Sequence, residues 1–79
     1  MAIEVRWFPT LVKRTRSRQP VTTVGWTAGL TPLAVFTAEG FNRADAEAVM
    51  VVVNDAQSTL EHELQDGDRL EFMVSIQGG

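Results

Sequence analysis

The chain has 79 residues, a formal net charge of −3 and 44% hydrophobic residues, with no cysteine, no tyrosine and a single histidine, His62. That length gives room for one small domain that buries about 60–65% of its unfolded surface, and the composition is that of a folded chain. Disulfides, thiolate metal sites and a cysteine nucleophile are excluded, and little remains from which to build a self-contained catalytic cleft.

No apolar run approaches the roughly 18–20 residues of a membrane span, and Met1-Ala2-Ile3-Glu4 lacks the basic-then-apolar opening of an export signal. A cytoplasmic protein that is not an enzyme is expected. Charge is divided unevenly. Residues 1–38 carry Arg6, Lys13, Arg14, Arg16 and Arg18 against Glu4 alone, a balance of +4, whereas residues 39–79 carry nine acids against Arg43 and Arg69, a balance of −7. The Lys13–Arg18 run could grip phosphates, but the acidic chain as a whole opposes nucleic acid, and a solvated hairpin loop is the expected role.

In chain order, Ile3, Val5 and Trp7 alternate with Glu4 and Arg6, the period-2 pattern of a strand over Ile3–Phe8. Pro9 ends it, having no N–H for the ladder. Leu11 and Val12 fold back onto the core, and Lys13–Gln19 is a polar excursion. The β-branched Val21–Val24 predicts a second strand antiparallel to the first. Thr31-Pro32 predicts a helix start, with the threonine as cap and proline at the first helical position. Leu33, Phe36 and Leu30 supply its buried face, and Gly40 stops it. Arg43–Glu47 adds a further helical turn.

Val49–Val53 is apolar without alternation, as in a strand covered on both faces, and Asn54-Asp55 closes it. Ser58–Leu64 is ambiguous between helix and extended chain. Asp66-Gly67-Asp68 is a tight turn, and a last strand follows with Leu70, Phe72 and Val74 inward, Arg69, Glu71 and Met73 outward, and Ile76 open to either side. The result is an α+β domain over residues 1–79, with a mixed four- to five-stranded sheet packed on one main helix. The strand–helix–strand order predicts parallel pairing of the strands that flank the helix.

The chain closes on Gly78-Gly79. Two terminal glycines arise by chance in about 0.5% of chains at ~7% glycine usage. Lacking Cβ atoms, they could thread a narrow channel and present the Gly79 carboxylate without hindrance. A carboxylate is a poor electrophile, but its acyl-adenylate is open to sulfur or amine nucleophiles.

Asp66-Gly67-Asp68-Arg69-Leu70-Glu71-Phe72, a short apolar run and the diglycine together resemble the MoaD/ThiS sulfur carriers of the ubiquitin-like β-grasp superfamily. Val49–Asn54 is similar to the apolar strand closing in Asn that precedes this turn in the family, and Ile3–Leu11 to the opening strand of the MoaD branch. The chain departs from the family in having no proline in Met73–Gln77 and in the length of its Lys13–Arg18 run. The resemblance implies a β-grasp fold and a flexible tail over 76–79. It implies a carrier whose Gly79, with Gly78 as spacer, is adenylated by an ATP-dependent, ubiquitin-activating-like enzyme of the MoeB or ThiF type. A sulfur donor then forms a thiocarboxylate, and an acceptor enzyme consumes it in molybdopterin-, thiamine- or cysteine-type synthesis or tRNA thiolation. The carrier itself needs no bound cofactor, ATP being used by the activating enzyme.

Partner recognition then falls to Arg69, Phe72, Met73, Ile76 and Gln77, and the acids Glu61, Glu63, Asp66, Asp68 and Glu71 could steer a basic activating enzyme. Two other functions are weighed. One is a ubiquitin-like modifier joined through Gly79 to lysines of other proteins. The other is a binding module that uses the basic loop, with the diglycine incidental.

Overall fold

The computed structural model of the chain describes residues 1–74. Strand β1 is Ala2–Trp7, with Ile3, Val5 and Trp7 buried as their alternation requires. Pro9 does more than end it. Proline at a first helical position sacrifices no hydrogen bond, and Pro9–Val12 forms one helical turn, α1, that drives Leu11 into the core. Strand β2, Val21–Gly25, returns antiparallel to β1, with Val21 opposite Arg6 and Gly25 opposite Ala2.

Helix α2 is Pro32–Ala38. The Thr31 hydroxyl oxygen accepts from the Ala34 N–H at 3.3 Å, and Gly40 ends the turn at φ +101°, a conformation that favours glycine. Its buried face is Pro32, Val35 and Phe36, spaced i, i+3, i+4, rather than Leu33, Phe36 and Leu30. Leu33 and Leu30 are half-buried at its margin. The further helical turn is a 3₁₀ helix, Arg43–Ala48. It is opened by a reciprocal cap in which the Asn42 side chain accepts from the Asp45 N–H and the Asp45 carboxylate from the Asn42 N–H, each at 3.1 Å.

Strands β3 (Val49–Val53), β4 (Ala56–Ser58) and β5 (Arg69–Val74) complete a sheet in the order β2-β1-β5-β3-β4. The parallel pair is β1–β5, and the other neighbours are antiparallel. The strands flanking α2, β2 and β3, are not neighbours, contrary to the expected pairing, because β1 and β5 lie between them. Nor is β3 covered on both faces. Val51 and Val53 are buried, but Val49, Met50 and Val52 are half-exposed, since the helical segments occupy one side of the sheet. The ambiguous Ser58–Leu64 stretch contributes the end of β4 and then a turn, after which Leu64 plugs the core with no exposed surface.

Four aromatic rings hold sheet and helix together. Trp7 stacks on Phe72 at 4.5 Å between centroids, Phe36 on Phe41 at 4.4 Å, and Trp7 reaches Phe41 at 5.6 Å. Such offset pairs each contribute about 0.5–1.5 kcal/mol beyond their buried area. At the start of β5, Asp68 is the hub. Its carboxylate accepts from the Gln65 N–H (2.8 Å) and the Asn54 side-chain Nδ2 (2.9 Å), while the Asn54 side-chain Oδ1 accepts from the Arg69 N–H (2.9 Å). These bonds, the Gln65 N–H foremost, hold the Asp68 carboxyl below its ordinary value of 3.8. The Asn54 and Asp-Gly-Asp signals are thus structural, fixing the register at which β5 begins.

Candidate functional site

Residues 75–79 continue from β5, so the end of that strand sets where the expected acyl group is presented. β5 lies between β1 and β3, which restrains it on both edges. On the β1 side the ladder closes with Phe72 opposite Trp7 and the Phe8 N–H donating to the Phe72 carbonyl at 2.9 Å. The chain then turns away at Pro9 into α1. On the β3 side, Met73 and Val74 remain paired with Met50 and Val49.

Two grooves flank this strand end, one on each face of the sheet. The first, about 270 Å³, lies on the open face and is lined by Arg6, Phe8, Pro20, Val21, Glu71 and Met73 among others. The second, about 370 Å³, lies on the helical face, where Leu11, Arg14, Phe41, Asp45, Val49 and Val74 contribute. The Lys13–Gln19 loop begins beside the second groove at Arg14 and ends beside the first at Pro20, so it borders the end of β5 on both sides.

Charges at the grooves are matched in pairs. Arg6 Nε donates to Glu4 Oε2 at 2.8 Å, and this hydrogen bond with its attendant charge raises the guanidinium pKa further above its ordinary value. Arg14 stands 3.3 Å from Asp45 and 5.1 Å above the Phe41 ring. Asp45 is held below 3.8, first by the Asn42 N–H and next, against some desolvation, by Arg14. Among the described residues no cluster of His, Asp and Glu is arranged to hold a metal ion, and no helix is long and apolar enough to cross a membrane.

The predicted site residues separate on this frame. Ile76, Gln77, Gly78 and Gly79 lie outside the described residues. Met73, expected on the outward face, is half-buried and lines the open-face groove. Phe72 is corrected: it has no exposed surface and is stacked in the core, where no partner reaches it. Arg69 is exposed but stands at the opposite end of β5, its guanidinium 2.8 Å from Asp55. The acids Asp66 and Asp68 share that far end, because β1 and β5 run parallel and the Asp66–Asp68 turn sits against the start of β1 through the Gly67 N–H to Ala2 carbonyl bond. Glu61 and Glu63 are exposed on the connection between β4 and that turn, and Glu71 lines the open-face groove near the end of β5. His62 is exposed, as a surface side chain should be. Sequence reasoning missed α1 and the placing of Arg14 and Pro20; the available signal was Pro9 itself, which opens a helical turn as readily as it ends a strand.

The ThiS family profile matches residues 18–79, taking in β2 through β5 and both glycines. This chain belongs to the ThiS family. No curated protein matches the sequence. Among solved structures, SAMP1 from Haloferax volcanii is similar with a TM-score of 0.74 at 18% identity over 100% of both chains. A complex of subunits 1 and 2 of molybdopterin-converting factor from Helicobacter pylori 26695 matches at 0.65 and 19%, again over 100% of both chains. The BexX/CysO complex of Amycolatopsis orientalis matches at 0.63 and 23%, over 99% of this chain and 100% of that one. The five-stranded mixed sheet is therefore a ubiquitin-like β-grasp. ThiS-family membership makes the chain a sulfur carrier or ubiquitin-like protein of the MoaD/ThiS kind, a class whose small carriers are co-substrates rather than catalysts.

Proposed function

We propose that this chain is a sulfur carrier whose reactive group is the carboxylate of Gly79, with Gly78 as its spacer. The observation that carries this reading is the ThiS match through Gly79, on a fold whose doubly paired central strand leads into the diglycine segment. A partner adenylating enzyme of the MoeB or ThiF type supplies ATP. A carboxylate oxygen attacks the α-phosphorus, pyrophosphate leaves, and the acyl-adenylate forms. Sulfide-level sulfur from a donor then attacks the acyl carbon, AMP departs with the bridging oxygen, and the thiocarboxylate remains for an acceptor enzyme. The complexes of molybdopterin-converting factor subunits and of BexX with CysO support such pairing of a β-grasp chain with a second protein.

The carrier contributes position rather than chemistry. Gly79 lies five residues beyond Val74, and an extended chain of that length reaches at most about 18 Å. The body of residues 1–74 stays outside the partner's channel while Met73 and the grooves beside it set the docking orientation. The whole chain acts as one cytoplasmic unit.

Intact mass spectrometry of the protein isolated from its host tests the reading. A fraction heavier by the difference between a sulfur and an oxygen atom, lost on deletion of Gly78-Gly79, is the expected result. Diglycine remnants on lysines of other proteins, without that heavier fraction, would make the chain a modifier instead. Full function after deletion of both glycines would leave only a binding module.

A further inference from the structure

The Lys13–Arg18 segment has no part in carrying an acyl group, yet the fold holds it in place with bonds that a merely solvated loop does not need. The Thr15 side chain is buried, at 3% exposure; its hydroxyl donates to the Val12 carbonyl at 2.8 Å and accepts from the Arg18 N–H at 2.9 Å. Glu39, at the end of α2, accepts from the Ser17 hydroxyl (2.8 Å) and N–H (3.2 Å), and its carbonyl from the Arg16 N–H (3.1 Å). Arg18 is kept at φ +55°, a left-handed conformation uncommon for arginine. Fixing backbone in this way costs conformational entropy that a solvated loop would keep.

The consequence is a set of cations held at fixed points. Arg14 is committed to Asp45, whereas Lys13, Arg16 and Arg18 are exposed and form no ion pair among the described residues. Their neighbours Arg14 and Pro20 line the two grooves beside the end of β5, and Ser17, between Arg16 and Arg18, packs against the end of α2 and the edge strand β2. Resting on the carrier reading, we infer that Lys13, Arg16 and Arg18 dock against an acidic protein surface that borders the opening through which the adenylating enzyme admits Gly79.

The surroundings favour protein over nucleic acid. Glu39, Asp45, Glu47 and Glu71 stand at the same end of the molecule and break any continuous track for phosphates. The run Lys13-Arg14-Thr15-Arg16-Ser17-Arg18 contains no aromatic side chain on which a base could stack. A patch of mixed sign, with three cations that form no ion pair among the described residues, suits a protein surface of the opposite pattern, where complementarity acts on encounter rate and orientation.

The test is ATP–pyrophosphate exchange by the host's adenylating enzyme. The full-length wild type is compared with the Lys13→Glu, Arg16→Glu, Arg18→Glu triple variant at about 0.1 M and about 1 M NaCl, between which the screening length falls from about 10 Å to about 3 Å. KM for the carrier should rise about tenfold or more in the reversed variant at low salt, with kcat unchanged, and the gap should close at high salt. The corresponding triple glutamine variant should fall between the two, and it keeps the test independent of any misfolding caused by placing like charge beside Glu39. Equal KM values for all three proteins at low salt would overturn the docking role and leave the carrier reading standing. Failure of the wild type to support exchange would overturn both. Salt-sensitive binding of a fluorescein-labelled RNA 20-mer that the reversed variant loses, with KM unmoved, would replace the protein partner by nucleic acid.

Discussion

Replacing Phe72 with alanine separates a core residue from a recognition residue on the same strand. Phe72 has no exposed surface, stacks on Trp7 at 4.5 Å and meets Phe36 at 5.3 Å. Truncating so enclosed a ring costs about 3–5 kcal/mol in transfer and cavity terms. A chain of 79 residues has about 4–12 kcal/mol to lose at ~0.05–0.15 kcal/mol per residue. Phe72→Ala therefore removes about a quarter of the stability at least, and at the lower end most or all of it. Urea unfolding followed by tryptophan fluorescence reads this directly, since Trp7 lies against the deleted ring. The midpoint should fall sharply with an unchanged slope, and Tm by roughly 4–8 °C per kcal/mol. Met73→Ala, one residue on, removes a half-buried side chain from the opposite face. It should cost under about 1 kcal/mol while raising KM in the exchange assay. A Phe72→Ala protein of near-native stability that had lost only activation would refute the assignment of Phe72 to the core and restore it as a partner contact.

Asp68→Asn tests the hub at the start of β5. The folded carboxyl is held below 3.8, so its contribution is complete above the unfolded value and disappears as pH falls through the lower, folded one. The variant should trail the wild type near about pH 6, and the gap should narrow as pH falls below the ordinary carboxylate range; a gap that stays constant across urea titrations through that range would show that charge is not the cause. Gly67→Ala should cost about 1–2 kcal/mol by thermal unfolding, because φ is +86° and the added methyl meets nothing within 4 Å, leaving backbone strain as the only penalty. Asn42→Ala removes the acceptor for the Asp45 N–H and should cost about 1 kcal/mol. By loosening the 3₁₀ helix that carries Asp45, it should also weaken the Arg14 contact, visible as altered exchange KM.

What could be read from the chain was what short-range physics encodes. Alternation placed Ile3, Val5, Trp7, Leu70 and Phe72 inside, and Thr31-Pro32 marked the start of α2, because each signal rests on residues a few positions apart. The sheet order was not legible in the same way. The pairing of Val5 with Leu70 spans most of the chain, and nothing local in Val21–Val24 says that β1 and β5 will separate it from β3. The three residues Ala56–Ser58 carry no strand signature and are extended only because β3 offers them an edge. At the site, the distance from the Asp-Gly-Asp turn to Gly79 was legible because it is covalent. The grooves were not, since they arise where α1, the basic loop and the 3₁₀ helix converge on one strand end.

That convergence limits what can decide specificity. The end of β5 is anchored by Phe72 inside the aromatic stack and by ladders on both sides, so Val74 is a fixed origin for the residues that follow. From it, the carboxyl end at Gly79 cannot travel more than about 18 Å. A partner that reaches that carbon must bring its own surface within the same radius, against Met73, the two grooves and the Lys13–Arg18 loop. Arg69 and the acidic turn lie a full strand length further back, where at ordinary ionic strength their charge is screened over about 8–10 Å. Their part is thus confined to holding β5 in register, whereas the docking role proposed for Lys13, Arg16 and Arg18 acts on the encounter itself.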